Sequence, residues 1–458
     1  MPLNQGEADR YQYWDIYKNE KSQLNYLIRR AKRESWRSFC EEIDDSSSAS
    51  RLRKILAKDC SPPTYIKQED GNWAENSEEV ASTLMDVHFP GSTNISSLSE
   101  EEICRGWSKA GLPLADCRRI VTEEKIRWAI FSFKPYKSAG PDGIFPAMIQ
   151  NSFESIKSRL IDIFIASLNL GFIPQKWRNV KVVFIPKAGR SGHVTAKDYR
   201  PISLSSFMLK TMERLVDFDI RNSIVSSLLS QSQHAYLKGK STETALHKAV
   251  SCLEESLDRK EFSLAAFLDI EGAFNNVEAS AIMKGLEAVE VPGGLRIWIE
   301  HMLTSRIVST DIGSSGIKRS VTRGTPQGGV ISPLLWLLVV NDLLRKMENK
   351  GVTVIGYADD IIIIARGSCI NTIRDLIEGA LKLVSSWTRE NGLGVNASKT
   401  ELVLFTRRYK IPEFRLPKLE GETLSISNQA KFLGVQRTAL LGFVGSMKST
   451  PTIALEVL

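Results

Sequence analysis

Two adjacent carboxylates, Asp359 and Asp360, stand in the stretch Tyr357-Ala358-Asp359-Asp360, with Val352, Val354 and Ile355 leading in and Ile361 to Ile364 leading out. Apolar, β-branched runs on either side of a short polar turn are the pattern of paired strands, so the acids are predicted at a hairpin tip. Asp is at home in a turn, and a solvated tip is one reading. The other is a metal site, because adjacent carboxylates repel unless a hard cation such as Mg²⁺ neutralises them. A third carboxylate, Asp269, lies in Phe267-Leu268-Asp269-Ile270-Glu271-Gly272-Ala273-Phe274. Its apolar neighbours read as a buried strand, where a charge needs an Arg or Lys partner or a metal. Beside the 357–360 turn, Asp269 and Asp359 could hold two Mg²⁺ ions, a pairing suited to activating a hydroxyl for in-line displacement at phosphorus.

A second chemical feature is the Gly-rich run Arg323-Gly324-Thr325-Pro326-Gln327-Gly328-Gly329-Val330-Ile331-Ser332-Pro333. Its glycines let backbone approach a flat ligand closely, and Gln327 can both donate and accept hydrogen bonds. Ser332 is predicted as the N-cap of the helix that follows, with Pro333 at its first position. Taken alone, the run also reads as an ordinary tight connection. The third feature is charge. Between Lys176 and Lys248 stand thirteen basic and five acidic side chains, while the whole chain carries a net charge of only +7. A local excess of this kind suits a polyanion partner, against the plainer reading of a solvated basic surface.

The elements that must position these residues are legible from periodicity. Residues 8–43 read as a basic helix ending at Asp44-Asp45-Ser46, and the composition from Asp59 to about Ser99 turns to Pro, Gly, Ser and Asn. A compact domain is expected from Thr122 onward. Its predicted elements are helices near 152–170 and 205–230 around a strand at 180–185, a strand at 263–270, helices at 278–290 and 294–303, and a hairpin over 308–321. The helix after Ser332, the 352–366 hairpin, a helix over 371–391 and a strand over 401–407 complete the set. Helices interleaved with a largely antiparallel sheet indicate an α+β fold.

With 458 residues, 42% of them hydrophobic and 25% charged, the composition is that of an ordinary globular protein with room for two or three structural units. No apolar run reaches the length of a membrane span, and Val330–Leu344 is broken by Ser332, Pro333, Asn341 and Asp342. The first residues lack the layout of a secretory signal, so a nuclear or cytoplasmic location is expected. The six cysteines are scattered without a C-x₂-C pair, which argues against zinc and for reduced thiols.

In order along the chain, Asp269 with Phe274, the Gly324–Pro333 loop and Tyr357-Ala358-Asp359-Asp360 resemble motifs A, B and C of reverse transcriptases. Ile185-Pro186-Lys187, Asp198-Tyr199-Arg200-Pro201-Ile202-Ser203-Leu204 and Lys238-Gly239-Lys240-Ser241-Thr242 extend the resemblance. So do the 137–143 loop, the motif D-like stretch from Gly392 to Glu401 and the motif E-like Phe432-Leu433-Gly434-Val435. Over about residues 8–437 the chain is similar to the polymerases of non-LTR, LINE-like retrotransposons, most of all the jockey type.

That resemblance implies a right-hand polymerase fold, with fingers and palm over 122–437, a basic helical segment over 1–58 and a linker with short elements over 59–121. It implies an RNA-directed DNA polymerase that extends a DNA primer on an RNA template with deoxynucleoside triphosphates and two Mg²⁺ ions, Mn²⁺ being the alternative metal. Asp269, Asp359 and Asp360 would hold the metals, and Lys399 would protonate the leaving pyrophosphate. Lys187 and Arg200 would grip the incoming triphosphate. Phe274 would exclude a ribose 2′-OH, and Gln327 with Gly328 would probe the nascent base pair. Lys238, Lys240, Tyr357, Leu433 and Gly434 would contact nucleic acid. Asn275 stands where many relatives carry Asp, a change expected to be tolerated. The resemblance ends at Val435, so residues 438–458 are expected to be a divergent tail without a thumb, as in a truncated copy. The competing expectation is a catalytically inactive remnant that only binds nucleic acid.

Overall fold

The computed structural model describes residues 65–95, 111–187, 192–223, 228–313, 315–427 and 429–438 apart from Glu69 and Gly434, together with scattered helical positions between Asn19 and Glu41. The chain divides into two units, Met1–Pro62 and Pro63–Leu458. In the first, the described positions are helical, and Arg30 pairs with Glu34 one turn on at 2.8 Å.

The second unit begins with α1 (Ser77–His88), β1 (Thr93–Asn94), α2 (Leu114–Ile120), α3 (Glu123–Phe131) and α4 (Pro146–Leu170). Then come β2 (Asn179–Pro186), β3 (Tyr199–Leu204), α5 (Phe207–Ser223), α6 (Thr242–Asp258) and β4 (Phe262–Glu271). Next are α7 (Ala279–Ala288), α8 (Gly293–Thr304), β5 (Arg306–Ile312), β6 (Ser315–Val321) and α9 (Ser332–Glu348). After these come β7 (Thr353–Tyr357), β8 (Asp360–Gly367), α10 (Ile370–Glu390), β9 (Gly394–Val395) and β10 (Glu401–Thr406). The hairpin of β11 (Gln429–Phe432) and β12 (Val435–Thr438) is last.

Two sheets organise these elements. One runs β1-β6-β5-β2-β3, with α1 packed on it through Val80, Leu84 and Met85; this helix lies inside the span read as linker. The other is antiparallel, in the order β10-β4-β8-β7, with β9 continuing along β4 beyond the end of β10. Successive side chains of a strand face opposite ways. Accordingly Leu264, Ala266 and Leu268 of β4 join the large core beneath α9 and α10, while Ala265 and Phe267 join a second cluster under α6 and β11. This two-sided burial explains why β4 reads as a continuous apolar run.

The structure departs from the expectations in three places. The helix predicted over 205–230 ends at Ser223. A 17-residue helix, α6, follows the Lys238–Thr242 turn and is started by a capping box of Ser241 and Thr244. The N-cap of α9 is Ile331, because Ser332 is the first helical residue and its Oγ donates to the carbonyl of Pro326 at 2.9 Å. Among the described residues, Cys117, Cys252 and Cys369 are free thiols, and no helix is long and apolar enough to cross a membrane.

Candidate active site

The register of the antiparallel sheet brings the predicted acids together. Asp269 of β4 stands directly opposite Asp360 of β8, and Tyr357 of β7 pairs with Asp360 across the hairpin. Asp269, Asp360 and Tyr357 share the face that carries Phe267, Ile362 and Ile355 further along. Asp360 is therefore a strand residue, and the turn itself is Ala358-Asp359. Ala358 takes a φ of +56°, the sign that primed hairpin turns require at this position. Its carbonyl is held from below by Nε1 of Trp336, a buried residue of α9, at 2.8 Å.

Opposed like charges on a sheet cost of order 1 kcal/mol at a half-exposed strand end. Burying Phe262, Leu264, Phe267, Leu268 and Ile270 of β4 is worth about 1.5–3 kcal/mol each, so the strand forms despite its acidic end. The strain appears in protonation. Burial, then Asp359, then Asp269 push the Asp360 carboxyl up to about 6. Burial also raises Asp359, as does Asp269, while the positive charge of Arg200 on β3 pulls it back. Lys399 compensates the other end, hydrogen-bonding Glu271 and lying 3.8 Å from Asp269 Oδ2. Its placement follows from the sheet: β10 pairs with β4 as far as Phe267 and β9 takes over at Ile270, with residues 397–399 bridging the change of partner.

Among the described residues, no group of three His, Cys, Asp or Glu side chains encloses a metal ion by itself. The arrangement is an open row of hard carboxylate oxygens. It fits a cation such as Mg²⁺, which takes one or two carboxylates and completes its shell with water and substrate phosphate.

The Gly-rich loop is fixed against this row. Gly324 N–H donates to Val277 O at 2.8 Å and Thr325 N–H to Phe274 O at 2.6 Å. Gly324 has a φ of +70°, and a Cβ there would lie 2.3 Å from Asn275 O, so only glycine fits. The Gln327 carbonyl accepts from Ser203 N–H on β3 at 2.8 Å, and its Nε2 donates to Asn275 Oδ1 at 3.2 Å. Gly328 lets the chain pass close to Ser203 O. The Phe274 ring stands 6.1 Å from that of Trp336, tilted at 40°. Two buried charges hold the ends of the loop. Arg306 Nη2 donates to the carbonyls of Arg323 and Gly324, and Glu213 Oε2 accepts from the N–H groups of Val330 and Ile331. Burial raises the Glu213 carboxyl and lowers Arg306 to about 10.

The remaining predicted residues are more dispersed. Lys187 Nζ donates to Lys197 O at 2.8 Å at the base of the β2–β3 hairpin, and Arg200 is exposed on β3. Lys238 is exposed, whereas Lys240 donates to Gln231 O at 2.8 Å; both line a cavity beside α5. Leu433 has a φ of +50° and packs against the cluster under α6, and Gly434 lies outside the described residues. Sequence reasoning missed Glu271, Trp336, Glu213 and Arg306. Glu271 follows Asp269 by two on a strand and so shares its face, which was an available signal.

Residues 185–437, more than half of the chain, match the family described as reverse transcriptase (RNA-dependent DNA polymerase), and the chain belongs to that family. It is 26% identical to the Pol polyprotein of retrotransposable element R1 of Bradysia coprophila, covering 93% of this chain and 41% of that protein. It is 24% identical to the RNA-directed DNA polymerase of mobile element jockey from Drosophila funebris, covering 92% of this chain and 47% of that protein. The chain thus spans about half the length of the curated relatives it matches. Among solved structures it is similar to apo telomerase from Candida tropicalis truncated from its C-terminal domain, with 13% identity and a TM-score of 0.40 over 64% of this chain and 59% of that one.

Proposed function

We propose that the chain is the RNA-directed DNA polymerase of a non-LTR retrotransposon, extending a DNA primer on an RNA template with deoxynucleoside triphosphates in the nucleus or cytoplasm. The observation that carries this reading is the register that sets Asp269 opposite Asp360, next to Asp359, inside a chain of this family. Fingers would be formed by the sheet of β1, β6, β5, β2 and β3, and the palm by that of β10, β4, β8 and β7.

Asp269, Asp359 and Asp360 are the residues to hold divalent cations, two Mg²⁺ ions with Mn²⁺ as the alternative. Such ions, when bound, lower the pKa of the attacking hydroxyl and neutralise charge at phosphorus. The protein's own groups orient the rest. Arg200, whose charge already reaches Asp359, and Lys187 grip the triphosphate, the guanidinium in a bidentate mode. Phe274, backed by Trp336, blocks a 2′-OH, and Gln327, steadied by Asn275, reads the new base pair. Lys399 carries the proton for the leaving pyrophosphate, with Glu271 orienting it. Tyr357, Leu433 and Gly434 contact the primer, and Lys238 and Lys240 the nucleic-acid backbone.

Primer extension on an RNA template tests the reading. Incorporation is expected for the unaltered chain and a fall of about a hundred- to a thousandfold for Asp359→Asn, the range seen when one electrostatic catalytic group is removed. Background incorporation by the unaltered chain, with its RNA–DNA binding intact, would instead identify a remnant that only binds nucleic acid.

A further inference from the structure

α3, α5, the segment 229–240 and the first turns of α9 line a cavity of about 710 Å³. Its floor is apolar, with Val330 just ahead of α9 and Leu334 and Leu337 on that helix. Trp128 and Phe218 both line it, and their rings lie 5.1 Å apart at 55°. They are 46% and 39% exposed, so they are not simply core residues. The other lining charges are Arg214, Arg221, Lys238 and Lys240 against the single acid Asp217. Arg221 already binds Asp217 at 2.9 Å and donates to Tyr236 O at 2.7 Å. Asp217 and the neighbouring Glu213 also act on Arg214, but Arg214, Lys238 and Lys240 make no ion pair among the described residues, and the lining cations outnumber its acid four to one. Lys238 makes no hydrogen bond or ion pair among the described residues, and Arg214 Nε is buried without a partner while its guanidinium lies 4.7 Å over the Phe133 ring.

We propose that this cavity is a binding site for single-stranded nucleic acid: an unpaired base enters against Trp128 and Phe218, and the flanking phosphates lie on Lys238, Lys240 and Arg214. Half-exposed aromatic rings beside an excess of cations match the two recurring needs of single-strand binding, stacking and backbone neutralisation. An acidic peptide would satisfy the charge alone. Extended peptides gain affinity by adding to a sheet edge, and the lining contains no residue of β1–β12. The floor also includes the entry to α9, where the N–H groups of Val330 and Ile331, just ahead of the helix, are held by Glu213 at the end of the Gln327 loop. The site is therefore in mechanical contact with the loop expected to read the base pair. It deepens the polymerase reading by adding a second place where the strand is held.

The test needs neither nucleotides nor metal, so it stands or falls separately from catalysis. A short oligouridylate carrying 4-thiouridine, and its deoxy counterpart, are titrated into the full chain by fluorescence anisotropy and then cross-linked for peptide mapping. Expected are adducts in α3 or α5, a roughly tenfold rise in Kd for Trp128→Ala in line with the loss of one stacking contact, and recovery in Trp128→Phe. Lys238→Glu should flatten the salt dependence by about one phosphate contact. The ribose and deoxyribose arms decide which strand the site takes. An unchanged Kd in Trp128→Ala with a native melting temperature, or cross-links confined to the sheet bearing Asp359, would overturn the proposal. Displacement of the oligonucleotide adducts by an acidic peptide of matched charge, and not by unlabelled oligonucleotide, would overturn it too.

Discussion

At the residue scale, Trp336 does two things in one place: its ring backs Phe274, and its Nε1 holds the carbonyl of Ala358. Trp336→Phe keeps a ring but removes the donor. The buried carbonyl then loses its partner, at a cost of about 1–3 kcal/mol. The expected result is a lower denaturant midpoint together with a fall in kcat for primer extension, while metal-free affinity for RNA–DNA duplex stays the same. A loss of stability with kcat unchanged would show that the Trp336 bond is merely structural. Nothing in the sequence pointed to this residue, because a Trp within an apolar helical run reads as core. Asp269 and Asp359 stood out for the opposite reason: a charge among apolar strand residues, or two adjacent carboxylates at one hairpin tip, needs a partner, and that need is visible without coordinates.

At the scale of elements, the Gln327 loop behaves as a part held between two buried charges from distant helices and strands. Arg306 comes from the start of β5 and Glu213 from α5. Glu213→Ala leaves the N–H groups of Val330 and Ile331, just ahead of α9, unpaired, and Glu213→Gln retains an acceptor oxygen. Steady-state kinetics should show the KM for the incoming nucleotide rising about tenfold in the alanine variant, equivalent to about 1.4 kcal/mol of positioning energy, with most of that loss recovered in the glutamine variant. Equal defects in kcat and KM for both variants would argue against a positioning role. The strands and most helices could be read from periodicity, since burial on one or both faces writes itself into the pattern. The loop clamp could not. Glu213 sits in an amphipathic helix where a charged residue normally faces water, and its partners are more than a hundred residues away. The early end of α5 and the capping-box start of α6 show the same limit, because local capping competes with a propensity that would have allowed a longer helix.

Across the larger unit, a buried histidine ties the strand that leads to the acids to the helix that follows the Lys238–Thr242 turn. His234 is 4% exposed; its N–H donates to Gly356 O on β7 and its Nδ1 meets Thr244 Oγ1 on α6. Burial, then Lys240 and Lys248, lower its pKa to about 4 from an ordinary 6.5. Below 6.5 the unfolded chain takes up a proton that the folded chain refuses, so this contribution to stability is full above 6.5 and is lost as the pH falls toward 4. The raised carboxyls of Asp360, Asp359 and Glu213 act in the opposite sense in this window, so the histidine is read from a difference: the stability of the unaltered chain relative to His234→Gln should fall between pH 6.5 and 4, and parallel curves would exclude the histidine. The bond from Trp336 to the Ala358 carbonyl has a different consequence. The turn bearing Asp359 is fastened to a helix of the central core, so it shares the stiffness of that core and gives little under load. On the proposed polymerase reading, such a turn acts as an anvil: the carboxylates would stay still, and after each addition the polymer would be drawn forward by one step to bring its new end over them.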